Sequence, residues 1–392
     1  MVSKPKIGLV LANVPAYSET FFNSKIKGLQ ENGFDVILFS NGKNKMSHPS
    51  CQTVFAPNFE LRFSLLLELF SIVINCIKNI KSTIKLFNLN KRDGLSVKNS
   101  IKNIIINSHF LPHKLTWLHF GFGTIALQSE NVAEAIDAKM AVSFRGFDLY
   151  IYPAKFPNCY DLLFSKKIKY HVLSDEMKRT LIEYGISNES IHKITPAINV
   201  DFFQPKPKNG QKNSVFQFIT VGRLHWKKGL EYTLEAFSIL KKNNVSFHYT
   251  IIGEGIEKEK LKFAAHQLNL ESNVTFLGKI SHNEVKNLLA KSSFYVQYSV
   301  QEGFCNAVLE AQAMGLLCVV SDADGLSENV LHEKTGWVVP KRTPTLLAQK
   351  MMEMIDLDDS EKAKICEKAS ERVKKEFNLT KQNQEFKLFY ND

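Results

Sequence analysis

Apolar runs and helical repeats alternate along this chain. Ile7 to Ala12 is continuously apolar, the pattern of a strand buried on both faces. A polar loop at 13–20 leads into a helical repeat over 21–32, Gly33 stops it, and Phe34 to Ser40 is apolar again. A strand, a crossover helix and a second strand this close together predict a parallel, right-handed pair. Further strands are expected at 115–120, 140–144 and 169–173, with a helix opened by Ser174-Asp175-Glu176 and stopped by Gly185. Pro196, Pro205 and Pro207 punctuate a polar, lysine-rich linker at 196–214. Beyond it, strands at 216–221, 247–252, 274–277, 294–297 and 317–321 alternate with helices at 230–242, 257–268, 283–290 and 307–314. A charged amphipathic helix at 360–377 and a short one at 380–392 follow. The expected class is α/β, with two doubly wound, Rossmann-like domains facing a cleft. The boundaries are 1–203 for the N-terminal domain and 204–378 for the C-terminal domain. The last helix, 379–392, is expected to pack back on the N-terminal domain. In such sheets ligands lie at the carboxyl ends of the strands, so candidate chemistry is sought there.

Composition narrows the picture. With 392 residues, 44% of them hydrophobic, the chain suits two globular domains and not wholesale disorder. No apolar run reaches the roughly 18–20 residues needed to cross a bilayer. The basic start is followed by a run too short for a signal peptide and then by polar Asn13, Pro15, Ser18 and Glu19, so it reads as a first strand. Six scattered cysteines without a C-x-x-C pair suit a reducing cytoplasm. The net charge is +11, and window 61–115 contains nine basic residues against two acidic ones, a net +7. That window is also strongly apolar from Leu61 to Leu86. Two readings stand for it: packed helices with a solvated basic face, or an amphipathic surface resting on anionic lipid at the inner face of the membrane. The basic residues at 78–102 are not interleaved with a run of stacking aromatics, so nucleic acid is not the expected partner.

Two constellations follow strand ends. In Gly222-Arg223-Leu224-His225-Trp226-Lys227-Lys228-Gly229, a planar guanidinium and a point-charge ammonium are paired in a way that suits a diphosphate. A solvated basic loop is the competing reading. In Glu302-Gly303-Phe304-Cys305-Asn306-Ala307-Val308-Leu309-Glu310, one carboxylate precedes a helix and the other lies a turn inside it. Backbone N–H groups around Cys305 and Asn306 would make that helix start an anion site, and the carboxylates could accept hydrogen bonds from sugar hydroxyls. Ordinary acids favoured by the helix dipole are the alternative.

These motifs, with Ile252-Gly253-Glu254-Gly255, Phe276-Leu277-Gly278 and Cys318-Val319-Val320-Ser321 in the same order, resemble the large retaining glycosyltransferase family 4, which has the two-domain B-type (GT-B) fold. The similarity covers nearly the whole chain and is strongest over 216–340. Ser174-Asp175-Glu176-Met177-Lys178 and Asn199-Val200-Asp201-Phe202-Phe203 fit the segment leading to that family's linker. Ser18-Glu19-Thr20-Phe21 and Ser143-Phe144-Arg145-Gly146-Phe147-Asp148 resemble the branch that builds exopolysaccharide, colanic-acid-like polymers and capsule. The resemblance implies a transferase moving a sugar from a UDP-, GDP- or ADP-sugar to a glycan or lipid-linked acceptor, with 1–203 binding the acceptor and 204–378 the nucleotide-sugar. Catalysis would rest on Arg223, Lys228 and Glu302: the two cations neutralising the leaving diphosphate, Glu302 contacting the transferred sugar. Glu310 would hold the ribose, Phe304 to Asn306 would offer backbone donors, and Gly222, Gly253, Lys279, Ile280 and Gly303 would border the donor. No cofactor or metal is implied, and Asp322-Ala323-Asp324 is expected to be a loop. The chemistry implied is front-face attack, since no carboxylate nucleophile stands out in the first half.

The sequence departs from the family at Arg145, where a histidine is common. Arg145 could bind an acidic group, contact phosphate, or pair with Asp148. Glu19, Thr20 and His119 are further candidates on the acceptor side, His119 being open to a buried structural reading as well. A nucleotide-sugar epimerase or other GT-B enzyme, and a non-enzymatic glycan-binding protein, are the rival functions.

Overall fold

The computed structural model describes residues 4–15, 20–42, 46–58, 65–205 and 215–391. The first sheet contains β1 (Lys6–Leu11), β2 (Asp35–Ser40), β3 (Gln52–Phe55), β4 (Trp117–Phe120), β5 (Lys139–Ser143), β6 (Ile168–Val172) and β7 (Ile191–Lys193), in the order β3-β2-β1-β4-β5-β6-β7. Every pairing is parallel, and Ile7 sits between Val36 and Trp117. Crossovers cover both faces of such a sheet, which is why β1 is buried from Ile7 to Leu11 and β4 along its whole length. Helix α1 (Thr20–Glu31) carries β1 back to β2. Three helices, α2 (Leu65–Lys78), α3 (Ile80–Arg92) and α4 (Val97–Asn107), occupy the basic window between β3 and β4.

The second sheet is built from β8 (Phe216–Val221), β9 (Phe247–Ile252), β10 (Val274–Gly278), β11 (Phe294–Gln297), β12 (Leu317–Ser321) and β13 (Trp337–Val339), in the order β10-β9-β8-β11-β12-β13, again parallel. Its core includes Phe218, Leu234, Phe237, Tyr249 and Val296, with Phe218 stacked on Phe294 at 4.7 Å. The strand order reverses between β1 and β4 in one sheet and between β8 and β11 in the other. A crevice opens at such a switch point, outside the carboxyl ends of the strands, and both candidate sites lie there.

The chain divides into two compact units, one of residues 1–172, 177–194 and 383–392, the other of 173–176 and 195–382. The change at 195 comes earlier than the expected 203/204 boundary. Ile198 N–H already bonds to Phe377 O at 3.0 Å, and Phe203 packs 6.2 Å from the His282 ring. The last helix, Leu379–Asn391, places Phe386, Phe389 and Tyr390 in the core of the first unit. Its backbone oxygens also accept from Trp117 Nε1 (2.9 Å, Tyr390 O) and Lys169 Nζ (2.8 Å, Phe389 O). Strands β3, β7 and β13 and the helix Pro344–Asp356 are absent from the pattern-based reading.

Candidate functional site

The loops after β8, β9 and β10 lie side by side, joined by Gly222 N–H to Ile252 O, Leu224 N–H to Glu254 O and Gly253 N–H to Gly278 O, each 2.9 Å. Gly253 has φ +140°, and a Cβ there would sit 1.9 Å from Gly222 O, so only glycine fits. At Gly229 (φ +62°) a Cβ would meet Tyr298 O at 2.1 Å. That close approach sets the start of the helix Leu230–Lys242 against the end of β11. Val300 N–H and Gln301 N–H both bond to Lys227 O, at 2.7 and 3.2 Å, which ties the loop after β11 to the loop after β8. Lys228 and Glu302, which sequence reasoning assigned to different parts of the ligand, form an ion pair here, their side chains only 14% and 15% exposed. Burial alone would lower the Lys228 pKa, but the adjoining Glu302 carboxylate outweighs it and holds the ammonium above its ordinary value. Gly222 forms the floor under this lysine, since a Cβ there would touch Lys228 Cε at 3.6 Å. Arg223 is exposed beside the pair.

Glu302 is positioned from the other side. Its N–H bonds Asp324 Oδ2 at 3.1 Å and its carbonyl accepts Gly325 N–H at 2.9 Å. Asp322 Oδ1 accepts Lys341 N–H at 2.9 Å. The two aspartates thus serve as backbone acceptors shaping the loop after β12. Cys305 caps the helix Asn306–Ala313, and its N–H is engaged by Asn329 Oδ1 at 3.0 Å. The expected anion site at this helix start therefore loses the Cys305 donor, because Asn329 already satisfies it. Burial pushes the Cys305 thiol up to about 11, with the Lys228 charge acting the other way.

Glu310 lies one turn inside that helix, and burial pushes its pKa from 4.5 up to about 8. A carboxyl raised on folding keeps a proton that the unfolded chain has already released between these two values. Stability is therefore lost as pH rises through this window, and the penalty is complete above it. Glu310→Gln is expected to match the parent near about pH 4 and to exceed it in stability near about pH 9. Denaturant titrations at both pH values test this; an equal difference at both would remove Glu310 as the titrating group.

In the first unit, Arg145 follows β5 and lies over Phe21, its Cζ 4.3 Å from the ring centroid, with Phe22 and Phe122 at 5.4 and 5.9 Å. Asp148 Oδ1 accepts the Thr124 hydroxyl (2.8 Å) and N–H (3.2 Å), and Oδ2 accepts the backbone N–H of Arg145 (3.2 Å). Burial raises the Asp148 pKa and lowers that of Arg145 to about 10. His119 is fully buried, its Nε2 2.8 Å from Ser143 Oγ, which is 2.7 Å from His171 Nδ1. His171 Nε2 lies 3.0 Å from Ile194 O. The carbonyl can only accept, so His171 Nε2 carries the proton, Ser143 donates to His171, and His119 donates to Ser143. His119 Nδ1 is then left to accept from the Tyr390 hydroxyl and from Lys25 Nζ, 3.5 Å away.

Residues 201–375 match the family described as Glycosyl transferases group 1. The chain is 28% identical to WcaL of Escherichia coli K12, a glycosyltransferase named for colanic acid biosynthesis, over 97% of this chain and 98% of WcaL. It is 34% identical, over 42% of each chain, to an Escherichia coli UDP-Gal:alpha-D-GlcNAc-diphosphoundecaprenol alpha-1,3-galactosyltransferase. The fold superposes on HepE from Anabaena, solved in complex with UDP and glucose, with TM-score 0.72 and 15% identity over 98% of each chain. The chain is a GT-B glycosyltransferase.

In this transferase the second unit brings Gly222, Arg223, Lys228, Glu302, Gly303, Phe304, Cys305, Asn306 and Glu310 to the switch point between β8 and β11. Gly253 borders them after β9, and Lys279 and Ile280 follow β10. In the first unit Arg145 and Asp148 share one turn after β5. Their side chains do not pair as one sequence reading allowed, because the Asp148 carboxylate is bound to Thr124 and to backbone. His119 is corrected from an acceptor candidate to an interior residue, since both faces of β4 are covered. Thr20 opens α1, and Glu19 lies outside the described residues. Sequence reasoning missed Lys25 and Asn329. The single lysine among apolar positions of α1, at Lys25-Ile26, was the signal available for the first.

Proposed function

We propose that this transferase moves a sugar from a nucleotide-sugar to a lipid-linked glycan, with retention of configuration, during assembly of a bacterial surface polysaccharide. The observation that carries the reading is the part-buried Lys228–Glu302 pair at the switch point, with the Arg223 guanidinium beside it and the Glu310 carboxyl one turn into the adjacent helix. Arg223 and Lys228 provide positive charge for a leaving diphosphate, and Glu302 and Glu310 accept from sugar and ribose hydroxyls. The UDP and glucose held by HepE and the diphosphoundecaprenol substrate in the galactosyltransferase's name support the donor and acceptor classes. The name of WcaL supports the polysaccharide context. The reaction is proposed to need no metal, a reading supported by the use of Asp322 and Asp324 as backbone acceptors. Thermal shift with UDP, GDP and ADP, followed by transfer and hydrolysis assays with the matching sugars, tests the donor assignment. One nucleotide should stabilise the protein; silence from all three would sink it, and turnover of donor sugar to an isomer without acceptor would favour an epimerase.

The acceptor's lipid suggests where the protein works. No helix among the described residues is long and apolar enough to cross a membrane. Yet α2 exposes Leu66, Phe70, Val73 and Ile77 on one helical face, at 79%, 67%, 51% and 65%. A stripe of this kind marks an interaction surface. Lys78 and Lys81 adjoin it, which matches an anionic bilayer, so the proposed location is the cytoplasmic membrane surface. The chain should sediment with vesicles containing phosphatidylglycerol and not with phosphatidylcholine alone, and Phe70→Glu should weaken this. Equal recovery in the supernatant with both vesicles would reject the contact.

A further inference from the structure

The Arg145 guanidinium is stacked but not bonded. Its Nε and Nη2 are buried, and among the described residues neither meets a hydrogen-bond acceptor. These two nitrogens form the side edge of the fork, the edge that grips a carboxylate or phosphate with two parallel hydrogen bonds. Stacking on Phe21 uses the face of the guanidinium and leaves that in-plane edge without a partner. Among the described residues, the acid whose charge acts on Arg145 is Asp148, and it is committed elsewhere: it accepts from Thr124 and from the backbone N–H of Arg145. Among the described residues, the other ionisable groups that feel its charge are basic. Lys25 is buried, against His119 and over the Phe386 ring at 4.1 Å. After burial, the Arg145 charge is a further cause lowering the pKa of Lys25, and it also lowers those of His119 and His171. A sheltered guanidinium with an empty edge, in basic surroundings, is costly unless an anion completes it. The residue as a whole is only part-buried, so it borders the surface.

We propose that Arg145 is an oxyanion-binding residue of the first unit, taking a carboxylate or phosphate group of the acceptor on its Nε–Nη2 edge. This rests on the reading of the first unit as the acceptor side. It adds a charged group to the acceptor's definition, either an acidic sugar or a phosphate, and makes Arg145 the residue that selects it. The aromatic rings of Phe21, Phe22 and Phe122 keep the guanidinium plane fixed and water off its face.

The test uses the full chain carrying Arg223→Ala and Lys228→Ala, so that donor-side cations do not capture the probes. Sodium glucuronate, glucose 1-phosphate and neutral glucose are titrated by calorimetry. At least one anion should bind about tenfold or more tighter than glucose, and Arg145→Gln in the same background should abolish that preference. Preference for glucuronate alone assigns a carboxylate, and for the phosphate alone a phosphate. Equal binding of all three probes, or a preference that survives Arg145→Gln, overturns the proposal. Should Arg145→Gln not fold, Arg145→Lys keeps the charge without the fork; the preference should fall, and an unchanged one overturns the assignment. Nucleotide binding by the chain with its donor residues intact reports on the transferase reading separately, so either idea can fail without the other.

Discussion

Replacing Lys228 by alanine is expected to lower turnover by about 10²–10³-fold while changing affinity for a bare nucleoside by less than about threefold. In the proposed reaction, negative charge grows on the departing diphosphate. A cation held in place before the reaction, at a site shielded from water, stabilises that charge without reorganising. Lys228 meets this description: it is buried, kept charged by Glu302, and fixed by the interlocked loops after β8 and β11. A nucleoside has no phosphate and reports only on base and ribose contacts. The alanine variant also leaves the Glu302 carboxylate sheltered without its counter-charge, which costs stability on its own account. Lys228→Ala combined with Glu302→Gln separates the two effects, because it should recover stability and not turnover. Steady-state kinetics with donor and acceptor, alongside calorimetry with the nucleoside, decide the matter. Equal losses in turnover and nucleoside affinity would remove the leaving-group role.

The parts of this fold that could be read from sequence are strands with apolar runs, unbroken until the last residue in β11 and β12 and interrupted by single polar residues in β8 and β9. Phe216–Val221, Phe247–Ile252, Phe294–Gln297 and Leu317–Ser321 begin and end where the pattern places them. The edge strand β3 has no fully buried residue, and β7 and β13 are three residues each, so none produces such a run. The site divides in the same way. Its members stand in motifs with fixed local spacing, but the Lys228–Glu302 pair depends on β8 and β11 being neighbours, which is a property of the strand order. The aromatic cage around Arg145 likewise assembles from α1 and from the loops after β4 and β5. The anion expected at the Asn306 helix start was judged from unpaired N–H groups, and no local signal announced that Asn329 would take one of them. His119 shows the converse: a histidine at a strand end reads as a cleft residue until the buried hydroxyls and rings around it are seen.

Ending the chain after Gln382 is expected to abolish the cooperative unfolding of the first unit, although the deleted helix lies nearly two hundred residues beyond that unit's last strand. Phe386, Phe389 and Tyr390 are all buried in its core, against Leu9, Ile26, Phe34 and Trp117. Losing one such aromatic costs about 3–5 kcal/mol, so losing three together is comparable with the whole stability of a domain, about 5–15 kcal/mol. The deletion also strands polar groups, since Trp117 Nε1 and Lys169 Nζ lose their carbonyl acceptors and His119 loses the Tyr390 hydroxyl. Lys25 would lose the Phe386 and Tyr390 rings that shelter it and would gain water. The second unit retains its own sheet and core, because the deleted residues, 383–392, all belong to the first. Hydrogen exchange should therefore show protection lost across β1, β4 and β5 and kept across β8, β11 and β12. Unchanged protection in the first sheet would mean that the helix merely rests on a unit already closed without it.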